Sequence, residues 1–541
     1  MRRCLALFFC LLICFSPAGA AAAPQSWSPL AAGIDYQVFH LTRPRPINLF
    51  VTRMYRNETS VTLDSALAGG SLIAGRETVS SMVARYDQSI NFWDETWGNR
   101  NHVVAAINGY FFNLASGEPL SGQIQSGWYA KRFSDYVGDA GFAWNVDRNA
   151  AIGKCVYHTE RDQFITVLRT GDTKKINHVN TTRQADEMVV YTPQYAASTG
   201  TDSSGVEVRI ELKRPTLVLP GPTMALGRVV RIRDLQGDTP LLFDEVVLSA
   251  SGVARDALLS KIELGDEIGF SQEISNCANS PQVNWSKTYA ATGGDYHFLT
   301  GGELTIDTSN PDASVPNSRT AIAFNASYVF FIVIDGWNAG VSEGISILEL
   351  GGFARDTLQA TDAVTLDSGG SSTMVINGQV VNNTYCNFTR KCGMQPEQER
   401  EQQNLVDLDF NPVQAAAQVD RSASSASTTL EPLVGNAWMM VVVEPKVQSS
   451  QYHPDQLVMT NQATELRLGP GTNYALLSTL PAGAKGVILY EHYNDLHGLL
   501  AKGAYWQPVK FGTLTGWIRQ NTLLGLPNPG ENPIFMPLVR R

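Results

Sequence analysis

Three uninterrupted apolar runs, each ending on Asn or Asp with glycine close behind, constrain this chain more than any other feature. Val103–Ile107 leads into Asn108-Gly109, Tyr328–Ile334 into Asp335-Gly336, and Val364-Thr365-Leu366 into Asp367-Ser368-Gly369-Gly370. Runs this short suit buried strands and fall short of core helices. Asx-Gly is a favoured turn pair in its own right, so a single instance would be explained as a turn. Three on the most apolar strands point instead to a site built where strands end and loops begin.

The third run carries the most chemistry. After Asp367 the chain has only Ser and Gly, then the hydroxyl run Ser371-Ser372-Thr373, the strand Met374–Ile376 and an Asn377-Gly378 turn. Glycines permit φ > 0 and let backbone N–H groups approach a ligand closely. The plainer reading is a tight hairpin whose Asp accepts hydrogen bonds from its own turn.

Residues 1–23 read as a secretory signal: Arg2-Arg3, an apolar run from Leu5 to Phe15, and Ala18-Gly19-Ala20 as a cleavage site, with Ala22 and Ala23 as alternatives. No other window is apolar enough for a membrane span, so the mature protein is expected to be secreted, cell-surface or periplasmic. The chain has 41 basic residues, 39 once Arg2 and Arg3 leave, against 51 acidic ones. That balance, with no basic run, argues against nucleic acid as a partner. Cys155, Cys277, Cys386 and Cys392 remain after the signal, an even number that suits an oxidising compartment. They permit three pairings, and Cys386–Cys392 with Cys155–Cys277 is the expected set. None has C-x-x-C spacing, and no His-x-x-x-His or EF-hand run occurs. No cofactor is therefore expected, and spacing does not support a divalent cation at Asp335 or Asp367.

The predicted fold class is α+β: a mixed β-sheet catalytic domain with few helices, followed by a small SH3-like β-barrel. The expected domains are 24–443, a linker at 444–454, the barrel at 455–526 and a tail at 527–541. Helices are expected at Thr78–Tyr86 and Glu343–Gly351, and strands through Thr201–Leu219 and Leu241–Ile274. The polar tract 394–430 cannot bury an apolar face. Because Ala437–Val443 after it is a strong buried strand, the tract reads as a mobile insertion inside the first domain. Gly/Pro turns between short strands in 455–526 argue for a closed barrel.

Ser318–Phe324 precedes the Tyr328 strand by three residues and reads as a hairpin. With Phe324 facing Tyr328, Arg319 would lie opposite Val333 and share a sheet face with Asp335, giving an Arg–Asp pair beside the site.

Asn108-Gly109 followed by two Phe, Ser318-Arg319-Thr320-Ala321-Ile322, the strand ending Asp335-Gly336, and LDSGGSSTMVINGQVVN together resemble the phosphodiester glycosidase family over roughly 100–443. This chain departs by having Ser368 where the family has a first glycine, and Asn317-Ser318-Arg319 for Asn-Pro-Arg. The C-terminal Leu466–Gly471 and Gly516-Trp517-Ile518 resemble a bacterial SH3-like domain, which implies cell-wall glycan or peptide as a partner; an inert spacer is the alternative.

The resemblance implies hydrolysis of a sugar-1-phosphodiester between the anomeric carbon and the phosphodiester oxygen. A phosphomonoester leaving group, with a second pKa of about 6, departs unprotonated, so an Arg and backbone N–H groups serve where other glycosidases need an acid. The resemblance thus implies Asp367, Asp335 and Arg319 as catalytic. Asn108, Gly109, Thr320, Gly369, Gly370, Ser371 and Ser372 are implied as substrate-binding. Asp367 is first choice for the carboxylate that activates water or stabilises the oxocarbenium-like centre, with Asp335 able to exchange roles. His297 reads as a strand histidine before it reads as a base. The competing readings are a non-catalytic cell-wall glycan-phosphate binding protein and a phosphodiesterase attacking phosphorus.

Overall fold

The computed structural model describes residues 26–87, 92–93, 96–97, 100–133, 140–158, 163–212, 227–276, 283–285, 288–310, 313–386, 430–443, 452–472, 474–489, 499–501 and 504–527. The expected signal, nearly all of the polar insertion and most of the interdomain linker lie outside these residues. Among the described residues no helix is long and apolar enough to cross a membrane.

Ten strands and two helices position the site. They are β1 (Ile47–Tyr55), β2 (Val61–Leu67), α1 (Val79–Tyr86), β3 (Arg100–Asn108), β4 (Thr288–Gly294), β5 (His297–Thr300), β6 (Arg319–Phe324), β7 (Tyr328–Ile334), α2 (Ile347–Asp356), β8 (Asp362–Thr365), β9 (Met374–Ile376) and β10 (Asn436–Val443). An eight-stranded sheet contains β1-β7-β6-β8-β5 in that order, and a five-stranded sheet contains β9-β3-β10-β2. Their facing sides bury one cluster that includes Leu63, Ile107, Val333, Val364, Leu366 and Trp438. The outer face of the first sheet packs on α2 through Ile332, Ile334, Leu350 and Phe353. The outer face of the second packs on α1 through Met82, Val83, Ala106 and Met439. The result is a helix–sheet–sheet–helix stack, each layer burying its apolar side against the next.

The helices form for legible reasons. Thr78 caps α1 by accepting from Ser81 N at 3.2 Å, and Val79, Met82, Val83 and Tyr86 recur at helical spacing on its buried side. In α2, Ser346 and Glu349 form a capping box. That box starts the helix four residues later than expected, and it runs on through Gly351-Gly352 to Asp356. Gly351 is accommodated because it lies against Leu304, where a Cβ would come within 2.8 Å. A further helix, Gly252–Leu259, interrupts the segment expected to be β-rich, between strands Glu245–Ser251 and Glu267–Gln272.

The hairpin of β6 and β7 is present, but its register differs from the expectation by one residue. Phe324 pairs with Val329 and Arg319 with Ile334. Because the side-chain period of a strand is two, this slip exchanges the faces. Arg319 falls with Ile334 on the side of α2. Asp335 continues the ladder, its N–H donating to Asn48 O at 3.2 Å, and alternation places it with Val333 on the inner side.

The C-terminal strands form one antiparallel sheet with its own core of Val458, Leu466, Ile488, Val509 and Ile518. The expected closed barrel is not formed among the described strands. Leu476–Leu480 pairs only with Thr464–Arg467 and Leu523–Gly525 only with Leu457–Thr460, so the two ends of the sheet do not meet. Cys155 and Cys386 are each disulfide-bonded; Cys277 and Cys392 lie outside the described residues.

Candidate active site

The chain passes from one sheet to the other through residues 366–373, so the Asp367 turn bridges the two layers. On the first sheet, Leu366 N–H donates to Thr320 O at 2.8 Å and Gly369 N–H to Ser318 O at 3.1 Å. On the second, Asp367 N–H donates to Gly109 O at 3.1 Å and Asn108 N–H to Thr373 O at 3.3 Å. Asn108 and Asp367, which end two of the apolar strands, therefore meet at one turn.

Asn108 is the knot. Fully buried, its Oδ1 accepts from Thr320 Oγ1 at 2.8 Å and Thr373 N at 3.1 Å, while its Nδ2 donates to Asp367 O at 2.6 Å. Its amide is committed to holding β3, β6 and the turn together. Gly109 is committed likewise, its N–H donating to Asn436 O at 2.9 Å. A Cβ on Gly109 would sit 1.8 Å from Asn436 Oδ1, so a side chain does not fit there. Thr320 spends its hydroxyl on Asn108.

Asp367 is 8% exposed. Burial pushes its carboxyl up to about 7; neighbouring Asp295 adds to the rise, while hydrogen bonds from Ser371 and Ser368 N–H oppose it. Asp335 is buried too, and burial raises its carboxyl to about 6 against hydrogen bonds from Asn382 and Asn383. Asn382 Nδ2 reaches both Asp335 Oδ1 and Ser372 O at 3.1 Å, so it ties Asp335 to the Asp367 turn. Two carboxyls of raised pKa thus share one hydroxyl-rich turn, a pattern common where proton chemistry is done.

Ser368 has φ −112°, an ordinary extended value, and its hydroxyl donates to Leu366 O at 3.1 Å. A side chain is accommodated at this departure from the family pattern. Gly369, with φ +73°, sits in the left-handed region where glycine is required. Ser372 Oγ and both amide atoms of Asn436 are buried without a hydrogen-bond partner, polar groups that a fold retains at a cost.

Arg319 diverges from the expectation. Its backbone is part of the site, but its buried guanidinium donates to Val315 O at 3.1 Å and Ile345 O at 3.4 Å on the α2 side. The expected Arg319–Asp335 pair is not among the described ion pairs, and the one-residue register difference is the reason. His297 is buried in β5, its Nε2 3.1 Å from Thr300 Oγ1, and burial lowers its pKa to about 4.

Asp295 and Asn382 were not singled out from sequence. Asp295 follows Gly293-Gly294 at the end of β4, so the strand-then-Asx pattern is present, but with glycine before the acid. Asn382 follows the short strand Gln379–Val380, another Asx at a strand end.

A family model described as phosphodiester glycosidase matches residues 246–395. This segment, which holds Arg319, Asp335 and the Asp367 turn, is thus similar to phosphodiester glycosidases. Among solved structures, a hypothetical protein from Synechocystis is 16% identical with a TM-score of 0.45, the match covering 78% of this chain and 64% of that one. A putative exported protein of Burkholderia pseudomallei is 18% identical, with 74% of each chain covered and a TM-score of 0.43. The zebrafish N-acetylglucosamine-1-phosphodiester alpha-N-acetylglucosaminidase catalytic domain, auto-inhibited by its pro-peptide, is 12% identical with a TM-score of 0.35, covering 77% of this chain and 85% of that one. No curated protein matches.

Proposed function

We propose that this protein is an exported hydrolase that cleaves the glycosidic bond of a sugar-1-phosphodiester, releasing the sugar and a phosphomonoester. The observation that carries the proposal is Asp367: a buried carboxyl poised near neutrality on a Gly/Ser turn, inside the segment that matches phosphodiester glycosidases. In its ionised form it activates water or stabilises positive charge at the anomeric carbon. Asp335 holds sugar hydroxyls or, with Asn382, fixes the turn. The N–H groups of Gly370 and Ser371, with the unpartnered Ser372 hydroxyl, take the phosphate oxygens. Asn108, Gly109, Thr320 and Gly369 position these groups through their internal hydrogen bonds. Arg319, which the family resemblance casts as a phosphate holder, acts here as a positioning residue that pins the loops at Val315 and Ile345. The bonded cysteines support export into an oxidising compartment.

Hydrolysis in ¹⁸O-labelled water tests the reading. Label in the sugar is the expected result. Label in the phosphate would mean attack at phosphorus, and binding without turnover of any sugar phosphodiester would make the protein a glycan-phosphate binder.

A further inference from the structure

Away from the Asp367 turn, the sheet that contains strands Met188–Tyr191, Gly205–Leu212 and Glu245–Ser251 borders a cavity of about 540 Å³. That size falls in the range of small-ligand sites. Its lining combines Tyr191 and Tyr195 with Arg183, Asp202, Ser204 and Thr199. We propose that this cavity is a second binding site, for a neutral oligosaccharide, built from the Tyr195 ring, backed by Tyr191, and the Arg183–Asp202 pair.

The partly exposed Tyr195 ring supplies the apolar surface, and the fully buried Tyr191 ring backs it. Their centroids lie 5.0 Å apart at 53°. Tyr191 is fixed by its hydroxyl, which donates to Thr181 O at 2.7 Å. Tyr195 packs from one side on Leu67, Leu72 and Ala130 while still lining the cavity. An aromatic ring held in this way suits the C–H face of a pyranose, an amphipathic surface edged by hydroxyls.

The polar wall is preorganised. The Arg183 side chain is 4% exposed and its partner Asp202 is 74% exposed. Arg183 Nη1 donates to Ser249 Oγ at 2.8 Å, and Nη2 to Asp202 Oδ1 at 2.5 Å and Ser204 Oγ at 3.1 Å. Room for the guanidinium comes from Gly205, where a Cβ would lie 2.6 Å from Nη1. The described bonds to the Asp202 carboxylate all fall on Oδ1, leaving Oδ2 as an acceptor for a hydroxyl. Because Asp202 already neutralises Arg183, an anion entering here would meet the carboxylate, which is why the ligand is uncharged. None of the lining residues belongs to the Asp367 site.

The full chain and its Tyr195→Ala and Tyr195→Phe variants are titrated calorimetrically with maltotetraose, with tetra-N-acetylglucosamine and with inorganic phosphate. At least one tetrasaccharide binds the wild type, Tyr195→Ala weakens it by about tenfold, the value of one lost ring contact, and Tyr195→Phe keeps wild-type affinity. Turnover of a small sugar phosphodiester is the same in all three proteins. The proposal is overturned if neither tetrasaccharide binds, if Tyr195→Ala binds as tightly as the wild type, or if phosphate competes with the sugar. Binding is read without turnover, so its failure is separable from failure of the catalytic reading.

Discussion

Replacing Asp367 with Asn should stabilise the protein at alkaline pH while abolishing turnover. The Asp367 carboxyl rises from its ordinary 3.8 to about 7 in the fold. Between those values the folded chain keeps a proton that the unfolded chain has released. Stability therefore falls as pH rises through this window and levels off above it, the reverse of an ion-paired carboxylate. Each pH unit costs about 1.4 kcal/mol, so from pH 5 to pH 8 this one group removes roughly 3 kcal/mol. Asn is nearly isosteric and cannot ionise. Urea unfolding of wild type and Asp367→Asn at both pH values should show the variant gaining on the wild type by about that amount, with Asp335 contributing the same smaller loss to each. Parallel stability profiles would refute the burial argument, and wild-type rates in the variant would remove Asp367 from the mechanism.

If ionised Asp367 is the working carboxylate, kcat/KM should rise with pH through about 7 and Asp335→Asn should leave that limb in place; a limb near 6 that survives Asp367→Asn would exchange the two roles. Asn108→Ala leaves Thr320 Oγ1, Thr373 N and Asp367 O without a bond, and should cost about 3 kcal/mol or more in urea unfolding. Arg319→Met should lower stability by about 1–3 kcal/mol through its lost carbonyl bonds with KM unchanged; a KM that rises with stability intact would return Arg319 to the phosphate. Gly109→Ala, forced against Asn436, should destabilise by about 1–3 kcal/mol in thermal melts; a variant as stable as the wild type would show that Asn436 yields at no cost.

What was legible in the sequence was where buried strands stop. The run Tyr328–Ile334 is a strand with the expected ends, and Val103–Ile107 and Val364–Leu366 stop within one residue of the observed strands Arg100–Asn108 and Asp362–Thr365, which begin earlier. Turn chemistry then identified the Asp367 crossing, because a positive φ at Gly369 and at Asn377-Gly378 leaves few residue types eligible. Side-chain direction was less legible. Arg319 and Asp335 are joined in register by a three-residue hairpin loop, and one residue decides whether they face each other or opposite layers. Sequence records the loop length but not the pairing, which is fixed by Arg319 against Ile334 and by β1 on the other side of β7. The helix Gly252–Leu259 was hidden because little of it is buried, Leu258 being its buried residue, so its apolar pattern is too thin to show a period. Partnership was legible least. The family resemblance implies Asn108 as a substrate-binding residue, and an Asn-Gly pair at the end of an apolar strand fits that role. Only the meeting of three distant segments, β3, β6 and the Asp367 turn, shows that its donors and acceptors are consumed in holding the turn. The buried polar groups left unsatisfied beside the turn are those of Ser372 and Asn436. Asp367 is the group whose proton the fold itself has made negotiable.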